Sequence, residues 1–503
     1  GFKVKDLQDE TIIMLILFIL SKVAELLRAY IIGINASLWY LKLGFHIHMH
    51  LKNGAKIAII GGGPAGSFFA HFALMHAKQL GIKVSVTIFE KKCFDKKGAP
   101  GCNMSAGVLS ETLLDKLSEQ HIHLPPSCIQ QEIEGYFLQV SEYGIPLHYP
   151  YPPHKTRIAT VFRGSGPKFA NRDVSNSFDH FLLEHARNVG ADVILHPVIN
   201  IEIPKNPNDL IKLTYGEGAS KGEYTADLVV GAFGVNSDTP SELNKLGFGY
   251  TPPKTVRTCI MDIYPTRTIN DALYGNNIYV FSLGLKFIRF AAFIPKGEFL
   301  TICLVGKKDM DKAQLNTFMN QPEIQRMIPE GWDDSKKRCI CFPNIPVNHA
   351  RHPYTNRLVI IGDAGISRTY KNGIDSAFTT AQLAAKTAFE RGVSEKDFEE
   401  GYFKPAKMLL GRDNIYGGII LMANDIISRQ KHVVSSHIKY MSEHPDTWET
   451  KGMNEVLWNT VTGNATYKDI FFKSIHPRLL FSLLPATLYS LTKRAGLGSV
   501  FCT

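Results

Sequence analysis

Short β-branched runs alternate with helical stretches along the first half of the chain, which is the pattern of a parallel α/β sheet. Residues 56–60 (KIAII) predict a buried strand, residues 65–80 a helix, and residues 84–90 (VSVTIFE) a second strand. Much later, residues 357–361 (RLVII) predict another buried strand, and an alanine-rich helix follows to residue 391. The pattern predicts an α/β domain assembled from segments that lie far apart in the chain.

Apolar stretches with interspersed charges mark both ends of the chain. Residues 12–20 are nine consecutive apolar residues, and three charges spaced three apart follow them on an otherwise apolar segment. A spanning helix needs about 20 apolar residues, so this pattern favours a helix in a membrane interface over a spanning or a buried one. Residues 470–491 combine aromatic, leucine and basic residues, which suits either an anionic membrane surface or packing on the protein itself.

Composition excludes several classes of protein. Of the 503 residues, 45% are hydrophobic and 20% charged, which is typical of globular proteins and excludes long disorder. Mean hydropathy is −0.05, which excludes a polytopic membrane protein. The net charge of +10 is spread along the chain without a basic run, so nucleic-acid binding is not expected. Eight cysteines in so long a chain do not make a disulfide scaffold, and we expect a cytoplasmic protein, peripheral at the membrane.

A glycine-rich loop follows the first predicted strand. Gly61, Gly63 and Gly66 have the G-x-G-x-x-G spacing, with Pro64 and Ala65 between them. In this motif the first glycine permits a tight turn, the second admits a pyrophosphate close to the backbone, and the third lets helix and strand pack closely.

The second predicted strand ends on an acidic residue. Glu90, followed by Lys91, lies where an acidic side chain accepts hydrogen bonds from a ribose. Strand, loop, helix, strand and acid in this order predict a dinucleotide site, and both NAD and FAD use such a unit.

A second motif, near residue 360, indicates which of the two cofactors the protein binds. Gly362 and Asp363 follow the late strand, and Gly373 and Ile374 open the long helix. This arrangement resembles the second FAD fingerprint of the glutathione-reductase-like flavoproteins. The resemblance implies that Asp363 binds the ribityl chain and that the positive end of the helix faces the flavin ring. No second G-x-G-x-x-G is present, so a separate NAD(P)H domain is not expected.

Three further segments resemble the geranylgeranyl reductase family, and the resemblance extends from about Lys56 to Arg391. They are the loop at 100–110 (PGCNMSAGVLS), the helix and strand at 177–193, and the aromatic-rich hairpin at 287–306. The resemblance implies a glutathione-reductase-type FAD-binding Rossmann domain with an inserted β-sheet-rich substrate domain, and the sequence outside the resemblance predicts helical terminal segments. It also implies that Cys102 lies beside the flavin, as a proton donor or as a packing residue, and that Arg163 contacts the FAD pyrophosphate or an anionic headgroup.

The motifs, the family resemblance and the apolar patterns of the two ends together predict a domain organisation. We expect an N-terminal amphipathic, membrane-associated segment at residues 1–50 and a C-terminal helical region at 396–503, broken at Gly417 and Gly418, which either associates with a membrane or packs on the protein itself. The other ranges are the FAD-binding domain at 51–110, 155–240 and 346–395, and the substrate domain at 111–154 and 241–345.

Some residues depart from the family pattern. The aromatic Tyr-x-Trp-x-Phe-Pro signature falls on Phe290, Ala292, Ile294 and Pro295, and a glycine before the second FAD helix is replaced by Lys371. These departures leave the exact lipid substrate open.

The predicted function is an FAD-dependent oxidoreductase, in the first place a reductase that saturates carbon–carbon double bonds of a polyisoprenoid or related lipid. The partners are then a hydrophobic substrate, an external electron donor such as ferredoxin or NAD(P)H, and a membrane surface. A flavin monooxygenase or halogenase with a hydrophobic substrate, and a membrane-bound electron-transfer flavoprotein, are the alternatives.

Two other groups of residues contain side chains that can bind metals or carry electrons. Cys339 and Cys341 are too few ligands for an iron–sulfur cluster and are interpreted as structural, with a redox relay as the alternative. His46, His48 and His50 alternate, which is typical of a polar strand face and also of some metal sites. No metal site is predicted.

Overall fold

The computed structural model describes residues 49–479 except 99, 141, 153–156, 170–172, 174–175 and 329–337. The predicted N-terminal helix, His46, His48 and the chain after residue 479 lie outside the described residues. His50 is described and belongs to no strand.

The described chain contains 21 strands. In chain order they are β1 (Ala55–Ile60), β2 (Val84–Phe89), β3 (Val108–Leu109), β4 (Ile129–Ile133), β5 (Gly135–Val140), β6 (Tyr143–His148), β7 (Ile158–Val161), β8 (Asp192–Ile194), β9 (Val198–Glu202), β10 (Ile211–Tyr215), β11 (Gly222–Ala226), β12 (Leu228–Gly231), β13 (Thr255–Arg257), β14 (Cys259–Ile263), β15 (Asn277–Ser282), β16 (Ile288–Lys296), β17 (Phe299–Gly306), β18 (Arg338–Cys341), β19 (Asn344–Pro346), β20 (Tyr354–Thr355) and β21 (Leu358–Ile360).

The α-helices lie between these strands and after them. They are α1 (Pro64–Leu80), α2 (Glu111–Glu119), α3 (Phe178–Asn188), α4 (Thr239–Asn244), α5 (Arg267–Leu273), α6 (Lys312–Met319), α7 (Pro322–Gln325), α8 (Gly373–Glu390), α9 (Glu395–Phe398), α10 (Lys404–Ala406), α11 (Asp413–Ile427), α12 (Lys431–Glu443), α13 (Trp448–Thr462) and α14 (Tyr467–Ser474). Two π-helical turns, Glu399–Phe403 and Lys407–Gly411, join α9, α10 and α11.

A six-stranded sheet forms the first layer, in the order β20-β21-β12-β1-β2-β8. All neighbours are parallel except β20 and β21. Both faces of β1 are buried, since Ile57 and Ile59 join the core beneath α1, α3 and α8, while Ala58 and Ile60 join the core shared with β9–β11. Phe68 and Phe72 of α1 pack edge-on against Phe378 of α8 at 5.3 and 5.2 Å. This arrangement confirms the predicted α/β class.

A seven-stranded sheet forms the second layer, in the order β18-β14-β17-β16-β15-β5-β6. Its neighbours are antiparallel except β15 and β5, and β16 with β17 forms the predicted hairpin. Alternation along β16 sends Ala291 and Phe293 into one core and Ala292 and Ile294 toward the opposite face. That opposite face packs against α12 and α13 through residues such as Trp458.

The described part of the C-terminal region is helical, as predicted, but the predicted break at Gly417 and Gly418 is wrong. Helix α11 runs through both residues. The Tyr467 ring packs so closely that a Cβ on Gly417 would lie 2.6 Å from it, so Gly417 allows α14 to approach rather than breaking the helix. No described helix combines the length and hydropathy required to cross a bilayer.

Candidate functional site

A cavity of about 520 Å³ runs from the carboxyl end of the parallel sheet to the inner face of the seven-stranded sheet. At one end it meets the glycine-rich loop and the start of α8. At the other end it opens into a region lined by Leu138, Val280, Ala292, Val305 and Leu457, which we call the apolar chamber. Eleven of the predicted site residues lie on the cavity wall: Gly61, Gly63, Pro64, Ala65, Glu90, Lys91, Arg163, Gly362, Asp363, Gly373 and Ile374.

The three loop glycines have distinct surroundings. Gly61 has φ +107°, and a Cβ there would lie 2.6 Å from the Ala232 carbonyl oxygen. A Cβ on Gly66 would lie 1.9 Å from the Gly61 carbonyl oxygen, so only glycine lets α1 pack against the loop. Beside Gly63 nothing lies within 4 Å, and this open side belongs to the cavity. The loop can therefore admit a ligand at Gly63, where α1 begins.

Glu90 lies directly after β2, at the rim of the loop. Its carboxylate accepts hydrogen bonds from the backbone N–H of Gly62 at 2.6 Å and of Lys92 at 2.7 Å. Burial raises the pKa of this carboxyl. The two backbone donors fix its orientation at the cavity wall, where it can accept further hydrogen bonds.

Arg163 is held by a carboxylate that the sequence analysis did not single out. Its guanidinium donates to both oxygens of the buried Asp179, at 2.8 and 2.9 Å, and to Ser105 Oγ at 3.2 Å. Asp179 also accepts from the Gly164 N–H at 2.6 Å. The bidentate pair fixes the Arg163 side chain at the cavity wall.

The second fingerprint brings a carboxylate and a helix start together. Burial raises the pKa of Asp363, and a Cβ on Gly373 would lie 3.5 Å from its Oδ1. The N-cap residue of α8, Asn372, has φ +59° and gives the helix no side-chain cap. The first N–H groups of α8 and the positive end of its dipole therefore face the cavity.

Cys102 does not lie on the cavity wall, although the next five residues, 103–107, do. Its Sγ accepts a hydrogen bond from the Met104 N–H at 3.2 Å, and burial raises the pKa of the thiol. The role of this thiol, as a proton donor or as a packing residue, therefore stays a prediction.

Cys339 and Cys341 lie on edge strand β18, opposite Asp262 and Ile260 of β14. Burial raises the pKa of both thiols. In the described part of the chain, no group of three or more potential metal ligands comes together.

The C-terminal region also contributes to the cavity, which no motif in the sequence predicted. Ile420, Leu421 and Asn424 of α11 and Leu457, Thr460 and Val461 of α13 line it. Both helices lie after Arg391, where the resemblance to the reductase family ends, and neither contains a recognised motif. Their amphipathic pattern alone indicates a buried face without saying what that face covers.

The residues that line the cavity around the dinucleotide loops fit FAD. The open side of Gly63, the fixed carboxylate of Glu90, the buried Asp363 and the uncapped start of α8 follow one another along the wall of a single cavity. These are donors and acceptors suited to a pyrophosphate, a ribose, a ribityl chain and a flavin ring.

Comparison with known proteins supports this interpretation of the fold. No protein-family model matches the chain. A geranylgeranyl diphosphate reductase from Synechocystis sp. is 26% identical over 205 residues, which is 39% of this chain and 42% of that protein.

Among solved structures, a geranylgeranyl bacteriochlorophyll reductase-like protein from Thermoplasma acidophilum matches 88% of this chain and 99% of its own, with a TM-score of 0.55 and 16% identity. A p-nitrophenol 4-monooxygenase from Pseudomonas putida matches 83% and 99%, with a TM-score of 0.55 and 14% identity. The chain therefore has the fold of FAD-dependent oxidoreductases, and the family resemblance predicted from the sequence is confirmed at this level.

Proposed function

We propose that the protein is an FAD-dependent reductase that adds two hydrogens across a carbon–carbon double bond of a polyisoprenoid or related lipid. The observation that carries the proposal is the single cavity that joins the dinucleotide loops to the apolar chamber. An isolated double bond is a poor electrophile, so such a reaction requires close positioning and exclusion of water, and apolar walls on several sides favour both.

In this proposal the predicted residues on the cavity wall each hold one part of the cofactor. Gly61, Gly63, Pro64, Ala65 and Gly66 form the turn that holds the pyrophosphate at the start of α1. Glu90 and Lys91 contact the ribose, and Arg163, fixed by Asp179, provides positive charge on the same wall. Gly362 and Asp363 hold the ribityl chain.

Gly373 and Ile374 begin the helix that faces the flavin ring. When bound, FAD supplies the reducing equivalents. The uncapped positive end of α8 stabilises negative charge there.

The chamber residues decide which lipid fits. Phe290, Ala292 and Ile294 stand where the family carries large aromatics, and two of the three are smaller here. Val280 faces Ala292 across the β15–β16 pair, and Cys303 faces it across the β16–β17 pair. The small Ala292 side chain widens the chamber at its centre, which favours a long, branched apolar chain over a flat aromatic substrate.

A membrane surface is the proposed source of this substrate. An exposed stripe on the segment that leads into and along α11 contains Met408, Ile415 and Met422, with 60%, 48% and 44% of each residue exposed. Lys407 and Arg412 are exposed beside it. Because the opposite side of α11 lines the cavity, an anionic bilayer against this stripe would lie one helix away from the chamber.

Rapid mixing tests the proposal against the monooxygenase alternative. The holoenzyme is reduced anaerobically and mixed either with geranylgeranyl diphosphate in anionic vesicles or with air-saturated buffer. We expect the lipid to reoxidise the flavin faster than oxygen does. Fast reoxidation by oxygen, with no response to the lipid, would contradict the reductase and favour a monooxygenase.

A further inference from the structure

Lys371 lies on a short segment that the fold holds in an unusual backbone conformation. Its neighbours Tyr370 and Asn372 have φ values of +69° and +59°, in the left-handed region that side chains seldom adopt. The Asn372 side chain donates to the Gly463 carbonyl at 2.8 Å, and the Arg289 guanidinium stacks 5.0 Å above the Tyr370 ring. These contacts fix the direction in which Lys371 leaves the backbone.

The Lys371 side chain ends in the cavity wall between the start of α8 and the apolar chamber. Its Nζ donates to the Thr460 carbonyl of α13 and lies 5.9 Å from the centre of the Phe290 ring on β16. Both of those residues also line the cavity. The ammonium therefore stands at the border between the region proposed for the flavin and the region proposed for the lipid.

No carboxylate of the described residues comes within ion-pair distance of Lys371. The charged groups on the elements around it are already paired, because Arg368 contacts Asp413 at 3.4 Å and Arg289 contacts Asp425 at 3.1 Å. Lys116, near the start of α8, is paired with Asp375 at 2.6 Å. Lys371 is partly buried and faces the cavity without a counter-charge, which is a costly place for an ammonium and one where lysines change their proton affinity readily.

Burial, with a smaller contribution from the positive charge of Arg368, lowers the pKa of Lys371 to about 7. Ammonium and amine are then both populated at neutral pH. A group with a pKa near the operating pH is the best general acid, since it holds a proton and also releases it readily.

We propose that Lys371 is the proton donor of the reaction, a role that rests on the proposed function. Saturating a double bond adds a hydride to one carbon, taken from the reduced cofactor, and a proton to the other carbon. An N–H bond of the Lys371 ammonium breaks as the new C–H bond forms, which leaves a neutral amine. The amine regains its proton from water before the next turnover. Lys371 thus fills the role that the sequence analysis offered to Cys102.

Chemical labelling tests the environment of Lys371 without any turnover. The holoenzyme is pulsed with an amine-acylating reagent from pH 5 to pH 10, and peptides are quantified by mass spectrometry. We expect Lys371 labelling to rise with a midpoint near pH 7. The exposed Lys439 of α12 serves as the internal reference. A Lys371 midpoint that coincides with that of Lys439 would overturn the proposal.

Single-turnover kinetics test the role itself. The flavin of wild type, K371M and K371R is reduced anaerobically, and its reoxidation by geranylgeranyl diphosphate is followed against pH. In wild type we expect the rate to fall as pH rises through about 7, because only the ammonium donates. Both variants should be slower by about 100-fold or more and should lose this pH dependence, since neither side chain is a proton donor near neutrality.

K371R separates proton donation from simple positive charge. If the arginine restores the rate, Lys371 binds an anionic headgroup and the proposal is overturned. Flavin absorbance and thermal unfolding of each variant verify that the fold and the cofactor are retained, and K439M controls for the loss of a lysine. If the lipid fails to reoxidise even the wild-type flavin, the proposed function fails, whereas the labelling midpoint still reports on Lys371.

Discussion

The two ends of the cavity are built by different means. At the dinucleotide end, backbone geometry makes the site, because a Cβ on Gly61 or Gly66 would meet backbone atoms, whereas Gly63 leaves an open side toward the cavity. At the lipid end, the wall comes from alternate side chains of five or more elements, such as Val280 on β15, Ala292 on β16 and Leu457 on α13. The first end tolerates almost no change at Gly61 and Gly66, whereas the second can change its shape one side chain at a time.

The largest effect is expected where the backbone itself forms the site. G66A places a Cβ 1.9 Å from the Gly61 carbonyl oxygen. We expect a loss of about 3 kcal/mol in the free energy of unfolding, the upper end of the range for overpacking, and no bound FAD. G63A is the matched control, because its Cβ meets no protein atom within 4 Å. It should fold within about 1 kcal/mol of wild type and still bind FAD poorly. Equal stability of both variants in a denaturant titration would contradict this distinction.

This contrast explains what the sequence could and could not predict. The glycine loop, Glu90 and Asp363 could be predicted from the sequence. The steric and hydrogen-bonding requirements of that part of the site are met by a few consecutive residues. The chamber is not local, since whether Ala292 or Ala291 faces the cavity depends on the register of β16 between β15 and β17. Cys102 shows the limit of a motif. Its loop lies beside the cavity as expected, but loop sequence alone does not determine which side chains point inward.

A smaller effect is expected from Asp363. D363N keeps the size of the side chain but removes its negative charge, and we expect FAD affinity to fall by about 10- to 100-fold, since a hydrogen bond to a charged group contributes about 1.5–3 kcal/mol. Fluorescence titration of the apoprotein with FAD measures this change, and D209N, in an exposed loop, is the control. An unchanged affinity for FAD would show that Asp363 does not contribute to binding FAD.

Acidic pH should weaken FAD binding by protonating the carboxylates of Asp363 and Glu90. Burial raises the pKa of Asp363 and of Glu90, so both carboxylates gain protons at a higher pH than ordinary carboxyls do. Because the ionised form accepts the cofactor's hydroxyl hydrogens, the affinity for FAD should fall as pH falls through the raised pKa values.

In the apoprotein, the stability should change with pH in the opposite direction. Protonation relieves the cost of burying these charges, so their contribution to stability grows as pH falls and is lost as pH rises. FAD titrations and unfolding curves from pH 4 to pH 8 measure both trends.

A still smaller effect is expected in the apolar chamber. A292W fills the space between Val280 and Cys303, and we expect KM for a long polyprenyl substrate to rise about tenfold while FAD content stays the same. A291W is the matched control, because Ala291 faces the opposite core. It should lower stability by about 3 kcal/mol and leave KM of the folded fraction unchanged. If A292W bound the substrate as well as wild type, the chamber would not be the lipid site.

The smallest effect is expected at the proposed membrane face. A single charge, as in I415E or M422E, should reduce sedimentation with anionic vesicles a few-fold and leave FAD binding unchanged. L80E is the control, since Leu80 is equally exposed at the end of α1. Vesicle binding that falls as much in L80E as in I415E would show that the stripe along α11 is not the contact.

One measurement tests most directly whether both ends of the cavity serve a single reaction. Anaerobically reduced holoenzyme is mixed with an equal amount of geranylgeranyl diphosphate, and the lipid is analysed by mass spectrometry beside the flavin spectrum. We expect a gain of two hydrogens per lipid for each flavin oxidised in wild type, and a much smaller yield in A292W at the same FAD content. A lipid of unchanged mass beside a fully reduced wild-type flavin would show that the two ends of the cavity do not serve one reaction.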